Sequence, residues 1–401
     1  MRKIRITNFF KVPDIDIHFG NKKWYVYLLK SIIISLLCIV LSIVVIYNLE
    51  DISTFVSSDK SSDFDISDIY NGIADHSDMR VASTAVTVVA VDECSREELL
   101  DVLEIISQYS PKAIGLDIFF RYAEEDSMRV INTLNHIPNL VLPCMIQPTP
   151  KGTYQHISYS FVEKHVRSQY GYVNLNASST RDIIRDFTPR QTIDDGDTLL
   201  QLATSVAKIA APEYYQRLIH RDNPTEIIHY AAIDIPTLST EEIFNGNDDY
   251  LSRYLTDRAI LVGDINNIND MYMVPINGLV AGILIHAYAL NTIMMDLYTD
   301  ITPDWLNWLI ALLVSIIFIF ANIYAKEHWS HIGNLLMRIL QIMIMIGMIY
   351  IGAYWYKNHM QYIDFSQVVL MIGFSSLAGD IYDGILAVHL KVKHIIDQRK
   401  K

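Results

Sequence analysis

Four stretches of this 401-residue chain are apolar enough, and long enough, to cross a lipid bilayer, and they constrain everything between them. The first begins at Trp24 and reaches Asn48, carrying no charge from Ser31 to Tyr47. No small-residue cleavage site follows Tyr47, so the segment reads as an uncleaved anchor rather than a signal peptide. Residues 304–325 and 335–356 are edged by Trp or Tyr, which favour the headgroup zone. The fourth, 363–380, is weaker because it holds Asp364, Ser366, Gln367 and Ser375, but its VVLMIGF core still predicts a short spanning helix. A composition of 51% hydrophobic and 19% charged residues fits a chain partly in lipid.

Basic residues near the ends of the spans set the predicted orientation. The amino tail, 1–23, holds Arg2, Lys3, Arg5, Lys11, Lys22 and Lys23, and the final segment, 381–401, holds Lys391, Lys393, Arg399, Lys400 and Lys401. Both ends are therefore expected in the cytosol, which requires an even number of crossings. Four crossings place the 326–334 connection inside, the 357–362 connection outside, and the whole of 49–303 outside. That long segment carries 37 acidic against 17 basic residues, a net of −20, in a chain whose overall charge is −13. The charge split suits a soluble domain hanging outside a membrane whose inner leaflet attracts the basic tails, although acidity that merely keeps a surface soluble would look the same. With no overall basic excess, nucleic-acid binding is not expected.

Within 49–303, β-branched runs alternate with helical patterns. Val86–Val91 reads as a buried strand, and Ser95 with Glu98 forms a capping box for a helix running to about Tyr109, with Pro111 just beyond. Strand Ala113–Phe120, helix Glu124–Asn135 and strand Leu140–Met145 follow, an order that predicts parallel pairing through right-handed crossovers. Further strands are expected at Gly171–Leu175, Glu226–Ala231 and Arg258–Val262, and helices at Thr198–Ala210 and Gly282–Met295. The fold class expected is an α/β extracytoplasmic domain joined to four α-helical transmembrane segments.

The motifs TVVAVDE, SPKAIGLDIFF, NLVLP, GYVNL, RAILVGD and GILIHAYALNTIM occur in that order ahead of a three-span block. Their order resembles the CHASE type-2 family, the cyclase/histidine-kinase-associated sensory extracellular domain, from about Asp65 to Asp300. The resemblance implies a bacterial inner-membrane sensor of an extracytoplasmic ligand, normally followed by a cytosolic cyclase, kinase or phosphatase. Two features depart from it: Asp264 and Ile265 replace the small residues usual after the glycine of RAILVGD, and no cyclase- or kinase-sized segment follows the last span. The expectation is thus a receptor acting through a separately encoded effector. The rival, from another class, is a structural or assembly subunit whose external domain binds an envelope protein.

If the strands are parallel, Asp92, Asp117 and Asp264 all end strands at one edge of the sheet, where α/β domains place ligands. Clustered carboxylates there could bind a hard cation such as calcium or magnesium, or a cationic ligand; the alternative is an ordinary turn or capping role. His286, in GILIHAYALNTI, could contact the ligand or titrate near neutral pH, or could simply pack the helix on the sheet. Arg181 and Arg185 could hold an anion or pair with surplus acids. Cys94 and Cys144 fall near strand ends, and their pairing depends on a distance the sequence does not give. No Cys/His triad, glycine-rich phosphate loop or zinc motif is present, so neither catalysis nor a cofactor is expected. Beyond the last span, Ile381, Ile385, Val388, Val392 and Ile395 recur at coiled-coil spacing. They predict a coupling seam for a second protomer, making a homodimer, or for an effector, unless the stripe lies on the lipid surface.

Overall fold

A computed structural model describes residues 24–56, 65–77, 79–92, 94–150, 152–176, 183–194, 196–276 and 278–399. The amino tail, Arg181, Lys400 and Lys401 lie outside the described residues.

The α/β unit is organised by seven strands: β1 (Val86–Ala90), β2 (Ala113–Leu116), β3 (Leu140–Pro148), β4 (Tyr154–Ile157), β5 (Gln169–Tyr172), β6 (Thr237–Ser239) and β7 (Ala259–Gly263). Their path is β6-β1-β7-β2-β3, with β3 pairing both β4 and β5. All pairs are parallel except β3 with β4. The two-residue period of β1 explains why both faces must be covered: Val86 and Val88 enter one core while Val89 enters the other. Helices α3 (Arg96–Gln108), α4 (Ser127–His136), α7 (Thr240–Asn245) and α8 (Asp248–Leu255) supply the Val89 side through Leu100, Leu103, Leu134 and Leu251. Helices α5 (Leu202–Ala210), α6 (Pro212–Arg221) and α9 (Gly282–Met294) supply the other through Leu202, Val206, Leu218 and Ile283. Ser95 and Glu98 form the expected capping box at the start of α3.

Several expected boundaries move. The strand expected at Ala113–Phe120 ends at Leu116, and the helix expected from Thr198 opens as a strand, Thr198–Leu200, paired with Arg190–Thr192. Gln201 then caps α5 by accepting the Ala203 N–H at 2.8 Å. Glu226–Ala231 supplies only a two-residue strand off the main sheet, and its buried Glu226 is tied to Arg221 at 2.7 Å. Edge strand β6 was not expected from its sequence. Cys94 and Cys144 are free thiols. Cys94 follows β1 and Cys144 lies on β3, and the two intervening strands separate them by about 14 Å at the usual interstrand spacing, too far for a disulfide.

Among the described residues four helices are long and apolar enough to cross a membrane: Trp24–Ile46, Asp304–His328, Ile332–His359 and Ser366–Gln398. The first belongs to α1 (Trp24–Val56) and the last to α11 (Ser366–Arg399), which carries the expected fourth span and tail as one helix. The middle two form a single helix, α10 (Asp304–His359), with no loop at 326–334. Straight, its 56 residues would be about 84 Å long. Yet Asp300 and Ile301, just before it, pair in parallel with Gln361 and Tyr362, just after it. The helix therefore reverses between its two apolar segments, and its ends return to the same place.

In the helical unit, Lys30 of α1 meets Asp383 of α11 at 2.7 Å, Tyr27 donates to Glu327, and Gln341 donates to the Ile372 carbonyl at 2.8 Å. In the α/β unit, α2 (Ile66–Ser77) packs against the last turns of α10. Tyr70 sits over Gly352, where an added Cβ would collide with its hydroxyl oxygen, and donates to the Ile363 carbonyl at 3.1 Å. Tyr356 donates to Asn71 at 3.0 Å and Tyr362 to Asp65 at 3.0 Å.

Two glycines test the packing in opposite directions. A Cβ at Gly171 of β5 would lie 2.7 Å from the Leu202 Cα, a backbone contact that rotamer changes do not relieve, so Gly171→Ala should cost about 1–3 kcal/mol. Gly72 in α2 has open space, and Gly72→Ala should add about 0.5–1 kcal/mol. Thermal melts of the full chain in detergent check both signs.

Candidate functional site

Strands β1, β7 and β2 are neighbours in the sheet, and all run the same way. Gly263 pairs with Ala90 and Val262 with Leu116, so Asp92, Asp264 and Asp117 emerge together at one carboxyl edge. The Val91 N–H reaches the Gly263 carbonyl at 3.0 Å, and the Asp117 N–H reaches the Val262 carbonyl at 2.9 Å, fixing the backbone beneath the side chains.

Two of the three also act as ordinary turn acceptors. Asp264 Oδ1 accepts the Asn266 and Asn267 N–H groups at 2.8 and 3.1 Å, closing the turn after β7. Asp92 accepts the Ile265 N–H and the Asn266 side-chain amide, both at 2.7 Å, so it clamps the same loop from β1. Asp117 anchors no turn of this kind.

The fourth carboxylate, Asp270, was not read from the sequence. It lies in the Asn/Asp-rich loop after β7, ahead of the hairpin Met271–Val274 with Gly278–Ala281. That hairpin carries the chain back so that the Asp270 carboxylate lies against Gly282 at the start of α9, where the Tyr272 hydroxyl and the Gly282 N–H favour its charged form. A Cβ on Gly282 would stand 2.6 Å from the Asp270 carboxylate, so glycine is what permits this approach. The local signal was only a polar loop at a strand end; the hairpin's return is a long-range event.

Burial and mutual repulsion raise three of these groups. Burial first, and then Asp270's charge, pushes Asp117 up to about 7. Part of Asp117 reaches solvent, but enough protein surrounds its carboxyl to disfavour the charge. Burial also raises Asp92, helped by a hydrogen bond with the Asp264 carboxyl and opposed by the Ile265 N–H. Asp270 is raised by burial, with the Tyr272 hydrogen bond pulling back and Asp264's charge adding to the rise. Asp117 can therefore hold a proton near neutral pH. Among the described residues no three His, Cys, Asp or Glu side chains are placed to hold a metal ion.

His286 lies elsewhere in its contacts. It is 1% exposed on α9, where Nδ1 accepts from the Gln201 amide at 2.7 Å and Nε2 donates to the Val173 carbonyl at 3.2 Å. Burial lowers its pKa to about 4, so it is a neutral core histidine joining α9 to the start of α5, and the structure does not bring it to the carboxylates. Arg185 is engaged by Asp68 through Nε and Nη2 at 2.9 and 2.8 Å. Cys144 is buried beside Ile146 and Tyr172, and burial pushes its thiol up to about 12, whereas Cys94 contacts the Thr240 hydroxyl at 3.1 Å.

The raised pKa of Asp117 has a defined sign. Its ordinary value is 3.8, so the folded state binds the proton more tightly. The stability this supplies is complete below about pH 4 and is lost as the pH rises through about 7. Asp117→Asn should flatten the dependence of melting temperature on pH across that window, whereas an unchanged slope would place the titration elsewhere.

Comparison with known proteins agrees with this architecture. No curated protein and no solved structure matches the chain. The CHASE2 domain matches residues 69–320, which take in the whole sheet, the carboxylate edge, α9 and most of the first apolar arm of α10. Having this match over most of its length, the chain belongs to the CHASE2 domain family of sensory extracellular domains.

Proposed function

We propose that the protein is an integral-membrane receptor whose α/β domain faces outward, with both termini in the cytosol. The observation that carries this reading is the path of the chain between the carboxylate edge and the membrane helices. Asp270 holds the first residue of α9, and the chain leaving α9 enters the Asp300–Ile301 pairing from which α10 departs and to which it returns. A change in charge at the edge, from protonation or from a cationic ligand, acts on the N-terminus of α9, where the helix dipole favours a carboxylate. The far end of α9 leads within a few residues to the start of α10.

The four-crossing arrangement is supported by the reversal of α10, which returns 360–362 to the level of 300–302. It is supported as well by the basic residues of the two ends and the acidity of 49–303. Output passes along α11, where Ile385, Val388, Val392 and Ile395 are 44–64% exposed on a helix continuous with the last span. That uncovered stripe suits a second protomer or a partner helix of a signalling effector, and the bacterial inner membrane is the compartment that fits.

Two measurements test this reading. Reporter fusions at Lys401 and within 357–362 should mark opposite sides of the membrane; the same side for both would contradict four crossings. Single cysteines at Val388 and Val392 should crosslink more strongly than cysteines at His389 or Lys393, and the yield should change between pH 4 and 7. Asp117→Asn should remove most of that pH response, whereas uniform or pH-insensitive crosslinking would argue for a helix that transmits nothing.

A further inference from the structure

The helical unit contains a polar cavity of about 200 Å³, in helices whose composition is otherwise apolar. Asn322 and Lys326 contribute from the first arm of α10, Asn334, Arg338 and Gln341 from the second, and Ser376 from α11. Phe318 and Met337, both buried, supply its apolar surface. Phe318 and Gln341 would be about 35 Å apart on a straight helix, so the cavity exists only because α10 reverses.

Its chemistry is one-sided. Among the described residues two cations line it and no carboxylate does. Of the acids in this unit, Glu327 accepts from Tyr27 and Asp383 is paired with Lys30 at 2.7 Å, while Asp380, one turn beyond Ser376 on α11, is exposed and does not line the cavity. Arg338 donates from one Nη to Gln341 Oε1 at 3.2 Å, while the Gln341 amide is anchored on the Ile372 carbonyl at 2.8 Å. Gln341 thus orients the guanidinium with one donor and leaves the rest of its five-donor fork for another partner. Lys326 has no ion-pair partner among the described residues. Lys326 and Arg338 lie at the ends of the two apolar arms where α10 turns, the level at which long basic side chains reach the headgroup zone.

We propose that this cavity is a binding site for a phosphate-class oxyanion. Arg338 engages the oxygens with its planar fork, Lys326 adds a point charge, and Asn322, Asn334 and Ser376 supply neutral donors. The volume is below the 300–1,000 Å³ usual for drug-sized ligands, so it takes a single head group rather than a large molecule. The oxyanion can arrive as the head group of an anionic phospholipid or as a soluble phosphate. Occupancy ties the two arms of α10 together beside α11, so the site offers a second input to the helices independent of the strand-end carboxylates.

The test uses the full chain in nanodiscs of neutral phosphatidylcholine. One arm replaces part of the lipid with phosphatidylglycerol; the other keeps neutral lipid and adds inorganic phosphate. Thermal unfolding of the wild type should shift upward in at least one arm. A shift with phosphatidylglycerol alone identifies a lipid site, and a shift with phosphate identifies a soluble ligand. Arg338→Gln should weaken the response by about tenfold or more, and Arg338→Lys should recover part of it. Lys326→Gln, on an exposed side chain, should weaken it too, read as the shift relative to that variant's own melt in neutral lipid. No shift in either arm, or the same shift in Arg338→Gln and Lys326→Gln as in the wild type, would overturn the proposal.

Discussion

Two backbone hydrogen bonds hold the architecture to one path: the Asp300 N–H to the Met360 carbonyl at 2.8 Å and the Thr302 N–H to the Tyr362 carbonyl at 2.9 Å. By bringing the start and the end of α10 side by side, they convert 56 helical residues into two arms instead of one long rod. Side chains reinforce the junction. Tyr70 fits over Gly352 because that residue has no Cβ, and its hydroxyl reaches the Ile363 carbonyl just before α11 begins. Tyr356 and Tyr362 bind Asn71 and Asp65, at the start of the α/β unit. Tyr70 and Tyr356 are buried, Tyr362 is half-buried, and all three hydroxyls are paired, which suits tyrosine where an apolar surface meets a polar one.

The opposite edge of the same unit is governed by electrostatics. Four carboxylates around β1, β7 and β2 repel one another, and the fold tolerates them because backbone N–H groups and the Tyr272 hydroxyl compensate part of the cost. Asp117 receives the least of that compensation and is displaced furthest toward neutral pH. Protonation of one carboxyl would relieve part of that repulsion. His286, only one turn along α9 from Gly282, is unsuited to that role because its ring nitrogens are consumed by Gln201 and Val173.

How much was legible in the sequence depended on the range of the interaction. The β-branched runs at Val86, Ala113, Leu140 and Ala259 marked strands because each is buried on both faces, and their parallel order made the convergence of Asp92, Asp117 and Asp264 readable. Thr237–Ser239 was missed because three residues at a sheet edge carry no period, and its place depends on a long-range pairing with Val88–Ala90. Asp270 was missed because a hairpin, not a strand end, delivers it. Hydropathy marked two apolar segments with a short connection at 326–334, where the backbone of α10 stays helical through the reversal. The cavity around Arg338 was invisible for a related reason: residues that line it are 23 positions apart and meet only after the chain has turned.

The return of α10 to its starting point is open to a direct distance measurement. Spin labels placed at Asp300 and Gln361 in the full chain, reconstituted in lipid, should lie within about 20 Å of each other, since the two positions are directly paired and the label linkers add the remainder. A distance near 80 Å, the length of an uninterrupted helix, would contradict the reversal and with it the two-arm arrangement on which the proposed coupling depends.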